Sequence, residues 1–143
     1  MGKVRVKIRV TNFTDTEQAR LGHIPAEAVR SLNAEALVDT GASIMALPEN
    51  LVEALGLNTI RETPVNYANG TQQRKRIVMV QLEFTDFNRG AVVECVVEAR
   101  GTTPLVGQIP LEYMDLHVDC KNGTLHPRPG FPDMPAVDLL KSA

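Results

Sequence analysis

Apolar and basic residues alternate at the start of the chain: Val4, Val6, Ile8 and Val10 interleave with Lys3, Arg5, Lys7 and Arg9. A period of two puts the four apolar side chains on one face, so the stretch predicts a half-buried strand. Its basic face reads either as an anion-attracting surface or as a solvated strand edge. The second is favoured, because charge on an exposed edge discourages unwanted pairing. Residues 11–30 are polar and irregular and predict loop with one helical turn. Apolar positions return at Leu32, Ala34, Ala36, Leu37 and Val38, a strand that runs straight into Asp39-Thr40-Gly41-Ala42-Ser43. Ile44-Met45-Ala46-Leu47 resumes the extended chain. A short helix follows, with Pro48 at its first position, Glu49 at its positive end, Leu51, Val52 and Leu55 on one face, and Gly56 as its cap.

Asn69-Gly70 predicts a two-residue hairpin turn of type I′, since both residues accept positive φ. Its arms are residues 64–68 and 71–80. Residues 77–84 and 91–99 are apolar strands joined by a turn through Asn88-Arg89-Gly90. The near-continuous run Val92, Val93, Cys95, Val96, Val97 implies burial on both faces or a sharply twisted strand. Leu105-Val106 is a short buried strand ending at Gly107. Residues 110–114 make one helical turn, and residues 116–125 fold back through a second Asn-Gly at 122 and 123. Pro127, Pro129, Pro132 and Pro135 then mark a Pro-rich, loosely attached tail. Many short strands, two short helices and no repeating unit give an all-β fold, a compact barrel-like domain over residues 1–126 with a tail over 127–143.

Composition narrows the function classes. A chain of 143 residues fits one domain with a real core, and 43% hydrophobic with 22% charged residues is ordinary for a globular protein. A net charge of −2 gives no reason to expect nucleic acid or a membrane surface as partner. The first segment lacks the unbroken apolar stretch of a signal peptide, and no apolar run is long enough to span a bilayer, so the expected setting is the cytoplasm. Cys95 and Cys120 show no metal-type spacing and read as free thiols packed like small hydrophobes. His23, His117 and His126 are scattered. Neither a metal site nor a cofactor is expected.

Asp39-Thr40-Gly41 at the end of an apolar strand is the sharpest chemical signal. Residue usage alone produces this tripeptide in roughly 3% of chains of this length, so by itself it divides evenly between a strand-ending turn and a catalytic loop. Its surroundings shift the balance. Ala36-Leu37-Val38 holds the carboxylate rigidly at the edge of a core, and Gly41 permits close backbone approach. An Asn-Gly hairpin comes about 30 residues later, and the apolar-apolar-Gly element Leu105-Val106-Gly107 follows.

This order resembles that of the retropepsin-like (clan AA) aspartic proteases, in particular their small single-lobe bacterial members. Ala36-Leu37-Val38-Asp39-Thr40-Gly41-Ala42-Ser43 resembles the catalytic signature, and Leu47-Pro48 with Leu55-Gly56-Leu57 resembles the stretch that follows it. Tyr67-Ala68-Asn69-Gly70 resembles the flap, and residues 104–112 resemble the second hallmark with its short helix. The likeness covers residues 35–126. It implies a retropepsin-like closed barrel with a flap hairpin, active as a C2 homodimer. It implies catalytic roles for Asp39 from each protomer, with Thr40 reaching across the axis to brace the partner's loop and Gly41 completing the motif. Ala42, Ser43, Ala68, Asn69 and Gly70 would contact an extended peptide, and Leu37 and Leu105 would line pockets beside the scissile bond. Plain core packing is the competing reading of these two leucines. Retroviral members pair an Asp two positions after the catalytic glycine with an Arg after the later glycine. This chain has Ser43 and Gln108, which a neutral hydrogen bond could join.

Aspartic proteolysis needs two carboxyl groups about one hydrogen bond apart, one ionised and one protonated. No second Asp-Thr-Gly or Asp-Ser-Gly occurs in the chain. Asp86, Asp115, Asp119, Asp133 and Asp138 lack the glycine loop and read as turn, helix-end or tail residues. A C2 homodimer solves this by setting Asp39 opposite its own copy. The expected partners are therefore a second copy of the chain and a peptide or protein substrate, held partly by main-chain hydrogen bonds. Arg74, Lys75 and Arg76 read as a solvated surface, with a preference for acidic substrates as the alternative. The chain ends expected to interleave across the dimer are residues 3–10 and 116–126. The tail is expected to dock through Phe131, Val137, Leu139 and Leu140, since its prolines lower the entropy lost on ordering. The alternative function is a weak or inactive dimeric peptide-binding module of the same fold.

Overall fold

The computed structural model describes residues 3–139. Nine strands and three short helices follow in the order β1 (Val4–Thr11), α1 (Phe13–Arg20), β2 (Ser31–Val38), β3 (Met45–Pro48), α2 (Glu49–Leu55), β4 (Thr59–Asn66), β5 (Gln72–Phe84), β6 (Arg89–Glu98), β7 (Leu105–Val106), α3 (Gln108–Tyr113), β8 (Leu116–Asp119) and β9 (Thr124–Pro127). One sheet runs β1-β2-β7-β3-β6-β5-β4, and an extra pairing between β1 and β5 closes its first six strands into a barrel. The remaining strand, β4, pairs only with the first half of β5. β8 and β9 form a separate hairpin.

The period-two pattern of β1 is realised in full. Val4, Val6, Ile8 and Val10 are buried, and the basic residues between them face solvent. β1 is not an edge, however. It pairs along its whole length with β2, and Ile8–Thr11 pair with β5 on the other side. Its charges are therefore a solvated outer face of a closed barrel. Arg5 pairs with Glu35, and Arg9 donates to Asn33 across the β1–β2 ladder. Ile8, Met45, Leu47, Leu55, Leu82, Phe84, Val106 and Leu111 are among the fully enclosed core side chains.

Residues 11–30 depart most from expectation. α1 is a two-turn helix whose sequence, Phe-Thr-Asp-Thr-Glu-Gln-Ala-Arg, has no apolar face to announce it. Polar contacts hold it instead. Asn12 caps it by accepting from the Asp15 amide, and the Asn12 side-chain amide donates to the Leu55 carbonyl at 2.8 Å in a buried site. Asp15 is buried and accepts from the Arg30 backbone and guanidinium, which holds its carboxyl below the usual range despite the opposing cost of burial. Thr16 donates to Gln81 on β5.

Three turns also differ in detail. Pro48 is the N-cap of α2 rather than its first residue, while Gly56 closes the helix in the left-handed conformation as expected. At the Asn69-Gly70 turn only Gly70 has positive φ. Gly70 N–H donates to the Tyr67 carbonyl and Tyr67 N–H to the Thr71 carbonyl. This is the three-residue hairpin with a left-handed glycine in third place, not type I′. The β5–β6 connection is residues 85–88, with Asn88 in positive φ, so Arg89 and Gly90 already belong to β6. Arg89 is enclosed at 2% exposure. Its guanidinium donates to the carbonyls of Met114, Asp115 and Phe131.

That cage bears on the tail. Residues 128–138 are tied back onto their own chain: Arg128 and the Ala136 amide both bond the Asp115 carboxylate, and Arg128 also meets Asp138. The attachment runs through backbone and charge rather than through the apolar residues expected to dock. Phe131, Val137 and Leu139 are exposed, and Leu140 lies outside the described residues. Cys95 is buried, and its thiol is pushed up by that burial, whereas Cys120 is exposed on the β8–β9 turn instead of packed.

Candidate active site

β2 and β7 run parallel, with Leu37 opposite Leu105 and Val38 opposite Val106. The ladder continues past the end of β2: Leu37 N–H donates to the Pro104 carbonyl and Asp39 N–H to the Val106 carbonyl, each at 2.9 Å. Asp39 is thus fixed by backbone at the point where the chain leaves the barrel. The Ala42 amide closes a tight turn onto the Asp39 carbonyl at 3.1 Å. Gly41 N–H donates to Asp39 Oδ1 at 3.0 Å, which orients the carboxylate. A Cβ on Gly41 would stand 3.2 Å from that same oxygen, so the missing side chain is what lets the carboxylate lie down on the loop.

Gly107 secures the loop from the other side. A Cβ there would meet the carbonyl oxygens of Ile44 at 2.5 Å and Ala42 at 2.6 Å. Past this contact, Gln108 N–H donates to the Ala42 carbonyl and Ile109 N–H to the Ser43 carbonyl. The first turn of α3 is therefore stitched to residues 42 and 43 by main chain alone. Ser43 and Gln108 do not form the expected side-chain bond. The Gln108 amide donates instead to Glu112, one turn along α3, and leaves Ser43 exposed.

Asp39, Thr40, Gly41 and Ser43 are all exposed in the single chain, and Leu37, Ala42 and Leu105 are half-buried around them. Ala68, Asn69 and Gly70 are exposed at the tip of the β4–β5 hairpin, where Asn69 Oδ1 accepts from the backbone and hydroxyl of Thr71. Two concavities of about 300 and 310 Å³ lie elsewhere, beside Arg89 and beside Arg76, and Asp39 lines neither. Among the described residues no other carboxyl is hydrogen-bonded to Asp39, and no three His, Cys, Asp or Glu converge as metal ligands. Asp115 and Asp138 bind Arg128, and Asp119 caps the β8–β9 turn through the Lys121 and Asn122 amides. No helix among these residues is long and apolar enough to cross a membrane.

The basic triplet on β5 is occupied. Arg74 faces Glu62, Lys75 faces Glu98 and Arg76 binds Glu49, so these cations are neutralised within the chain. Glu98, the last residue of β6, has no local sequence signal and accepts from the Tyr67 hydroxyl at 2.8 Å. Burial, then this hydrogen bond and the charge of Glu98, push the Tyr67 phenol up to about 12.

The fold is similar to that of a retropepsin-like aspartic protease from Rickettsia conorii, with a TM-score of 0.51, 14% identity, and coverage of 82% of this chain and 85% of that one. Weaker likenesses are to the retroviral protease-like domain of Ddi1 from Leishmania major (TM-score 0.49, 13% identity, 88% and 90% coverage) and to EIAV protease (0.45, 19%, 57% and 76%). No curated protein sequence matches the chain. Residues 28–112, more than half of the chain, match the family described as gag-polyprotein putative aspartyl protease. With a closed six-stranded barrel of the retropepsin type and that match along its sequence, the protein belongs to this aspartyl protease family.

Proposed function

We propose that the chain is an aspartic endopeptidase that works as a C2 homodimer, with Asp39 of each protomer forming the catalytic pair. One observation carries this reading. The Asp39 carboxylate is exposed on a loop held by main-chain bonds to β7, and no second acid among the described residues is hydrogen-bonded to it. A twofold axis beside the loop supplies the missing group, because an isologous contact brings a residue near the axis to its own copy. Two carboxyls so close share one proton. The ionised one takes a proton from water as the oxygen attacks the peptide carbonyl, and the protonated one polarises that carbonyl.

In this reading Thr40 braces the partner's loop, and Leu37 and Leu105 form adjoining pocket walls, consistent with their paired register and half-exposure. The β4–β5 hairpin is the flap, closing over an extended peptide through Ala68, Asn69 and Gly70. Residues 1–126 make up the protease unit and act in the cytoplasm. The test is Asp39→Asn: cleavage of a peptide library at mildly acidic pH falls about a thousandfold or more, while sedimentation still reports a dimer. A wild type that stays monomeric at every concentration, or cleaves equally well as the variant, ends the proposal.

The second reading, a peptide-binding module with weak or no cleavage, is favoured by one observation. Ser43 and Gln108 leave the loop without a side-chain brace. Peptide binding by both proteins, with cleavage by neither, would select it.

A further inference from the structure

The β4–β5 hairpin outruns the barrel. The β5–β6 ladder begins at Ile77, so residues 72–76 of β5 pair only with β4. Beyond that point side chains bind the hairpin to the body of the protein. Arg61 pairs with Glu94 on β6, Lys75 with Glu98, and Arg76 with Glu49 at the start of α2. These three grips act at the base. Only one contact among the described side-chain bonds joins the turn itself to the barrel, from the Tyr67 hydroxyl to Glu98 Oε1 at 2.8 Å.

Both ends of this bond are well placed. Tyr67 is the first residue of the turn: its carbonyl accepts from Gly70, and its amide donates to Thr71. Anchoring Tyr67 therefore anchors the tip. Glu98 is the last residue of β6 and lies beside Pro48 of β3, so it stands on the closed barrel and not on the hairpin. Its two oxygens divide the hairpin between them, Oε1 taking Tyr67 from the first arm and Oε2 facing Lys75 Nζ of the second at 3.8 Å. Hydrogen bonds to an ionised acceptor are stronger than neutral ones. Tyr67 remains a donor throughout the acid and neutral range, since burial and the neighbouring Glu98 push its phenol up to about 12.

We infer that Tyr67 and Glu98 are positioning residues: their bond is a latch that fixes the hairpin tip against the barrel and sets how readily it lifts for an extended peptide. This role rests on the hairpin acting as the flap of the proposed protease, but the latch itself is a property of the fold and can be measured without catalysis. Of these four grips, Arg61–Glu94 and Arg76–Glu49 are part-exposed ion pairs, which contribute little, and Lys75 Nζ stands 3.8 Å from Glu98. The tyrosine contact is directional, half-buried and reaches furthest along the hairpin, so its loss is felt chiefly at the turn.

Amide hydrogen exchange on the full chain tests the latch. Tyr67→Phe removes the hydroxyl and keeps the ring; the Gly70 and Thr71 amides then exchange about tenfold faster, while Val80 and Leu82 in the barrel half of β5 are unmoved. Glu98→Ala gives at least the same acceleration, the double variant exchanges no faster than Glu98→Ala alone, and Glu98→Gln, which retains a neutral acceptor, falls between wild type and Glu98→Ala at the tip. On a cleavable peptide, Tyr67→Phe, whose tip lifts more readily, lowers KM about threefold or more, with kcat within about twofold of wild type. Unchanged exchange at the tip in Tyr67→Phe, or single effects that multiply in the double variant, overturns the latch. Faster exchange with an unaltered KM overturns its positioning role. Faster exchange in a protein that cleaves nothing upholds the latch and removes the protease reading, so the two fail separately.

Discussion

The Asp39 loop and the β4–β5 hairpin are held by opposite means. Around Asp39 the bonds run from main chain to main chain: Asp39 to Val106, Gln108 to Ala42, Ile109 to Ser43, with Gly107 pressed against two carbonyls. Around the hairpin they run from side chain to side chain, through Arg61, Tyr67, Lys75 and Arg76. Backbone contacts this close leave no room for an added Cβ at Gly107. Side-chain pairs at a surface exchange readily with water and can be lost one at a time. In the proposed protease, where Asp39 would stay fixed while the hairpin lifts, this division would serve both.

The contrast is broken most severely at Gly107. Gly107→Ala puts a methyl against the Ile44 and Ala42 carbonyls, where no rotamer offers escape, and it should cost about 3 kcal/mol or more. Urea unfolding measures this, and a loss under about 1 kcal/mol would mean that the loop yields more easily than its backbone bonds imply.

Asp15 tests the intermediate case, a buried side-chain contact. Asp15→Asn weakens the bonds to Arg30 and should cost about 1–2 kcal/mol at neutral pH. The sign with pH follows from the depressed carboxyl of Asp15. The stabilisation is complete above the unfolded value near pH 4 and disappears as pH falls through the lower folded value. The gap between wild type and variant should therefore close in acid, and a gap independent of pH would show that Arg30 is not its source.

The smallest effect belongs to the base of the hairpin. Arg76→Ala removes a part-exposed pair with Glu49 and should cost about 1 kcal/mol or less, shrinking further in high salt. A larger or salt-insensitive loss would show the hairpin to be fixed as firmly as the Asp39 loop.

The same division explains what could be read from the sequence. β2, the Asp-Thr-Gly loop, β3, α2 and the Leu105-Val106-Gly107 element were legible because alternation, a helical face and glycine each leave a local trace. α1 left none: its helix depends on a buried Asn12 contact with Leu55, 43 residues away, and on Asp15 with Arg30. Asn-Gly correctly marked the hairpin, but the dipeptide suits both a two-residue and a three-residue turn, and only the Tyr67–Gly70 bond separates them. Arg89 looked like a turn residue because a charged side chain next to Asn and Gly ordinarily faces water. Its burial depends on carbonyls 25 to 42 residues further along. Glu98 carried no signal either, because its partners lie on another hairpin.

Arg89 has a consequence of its own. Its guanidinium donates to three main-chain carbonyls, so the bonds that seat residue 131 against the α3–β8 corner contain no ion pair for salt to screen. The neighbouring ties of the same segment run through the Asp115 carboxylate, which the Ala136 amide and Arg128 hold below its usual range, so the joint loosens only where acid protonates that group.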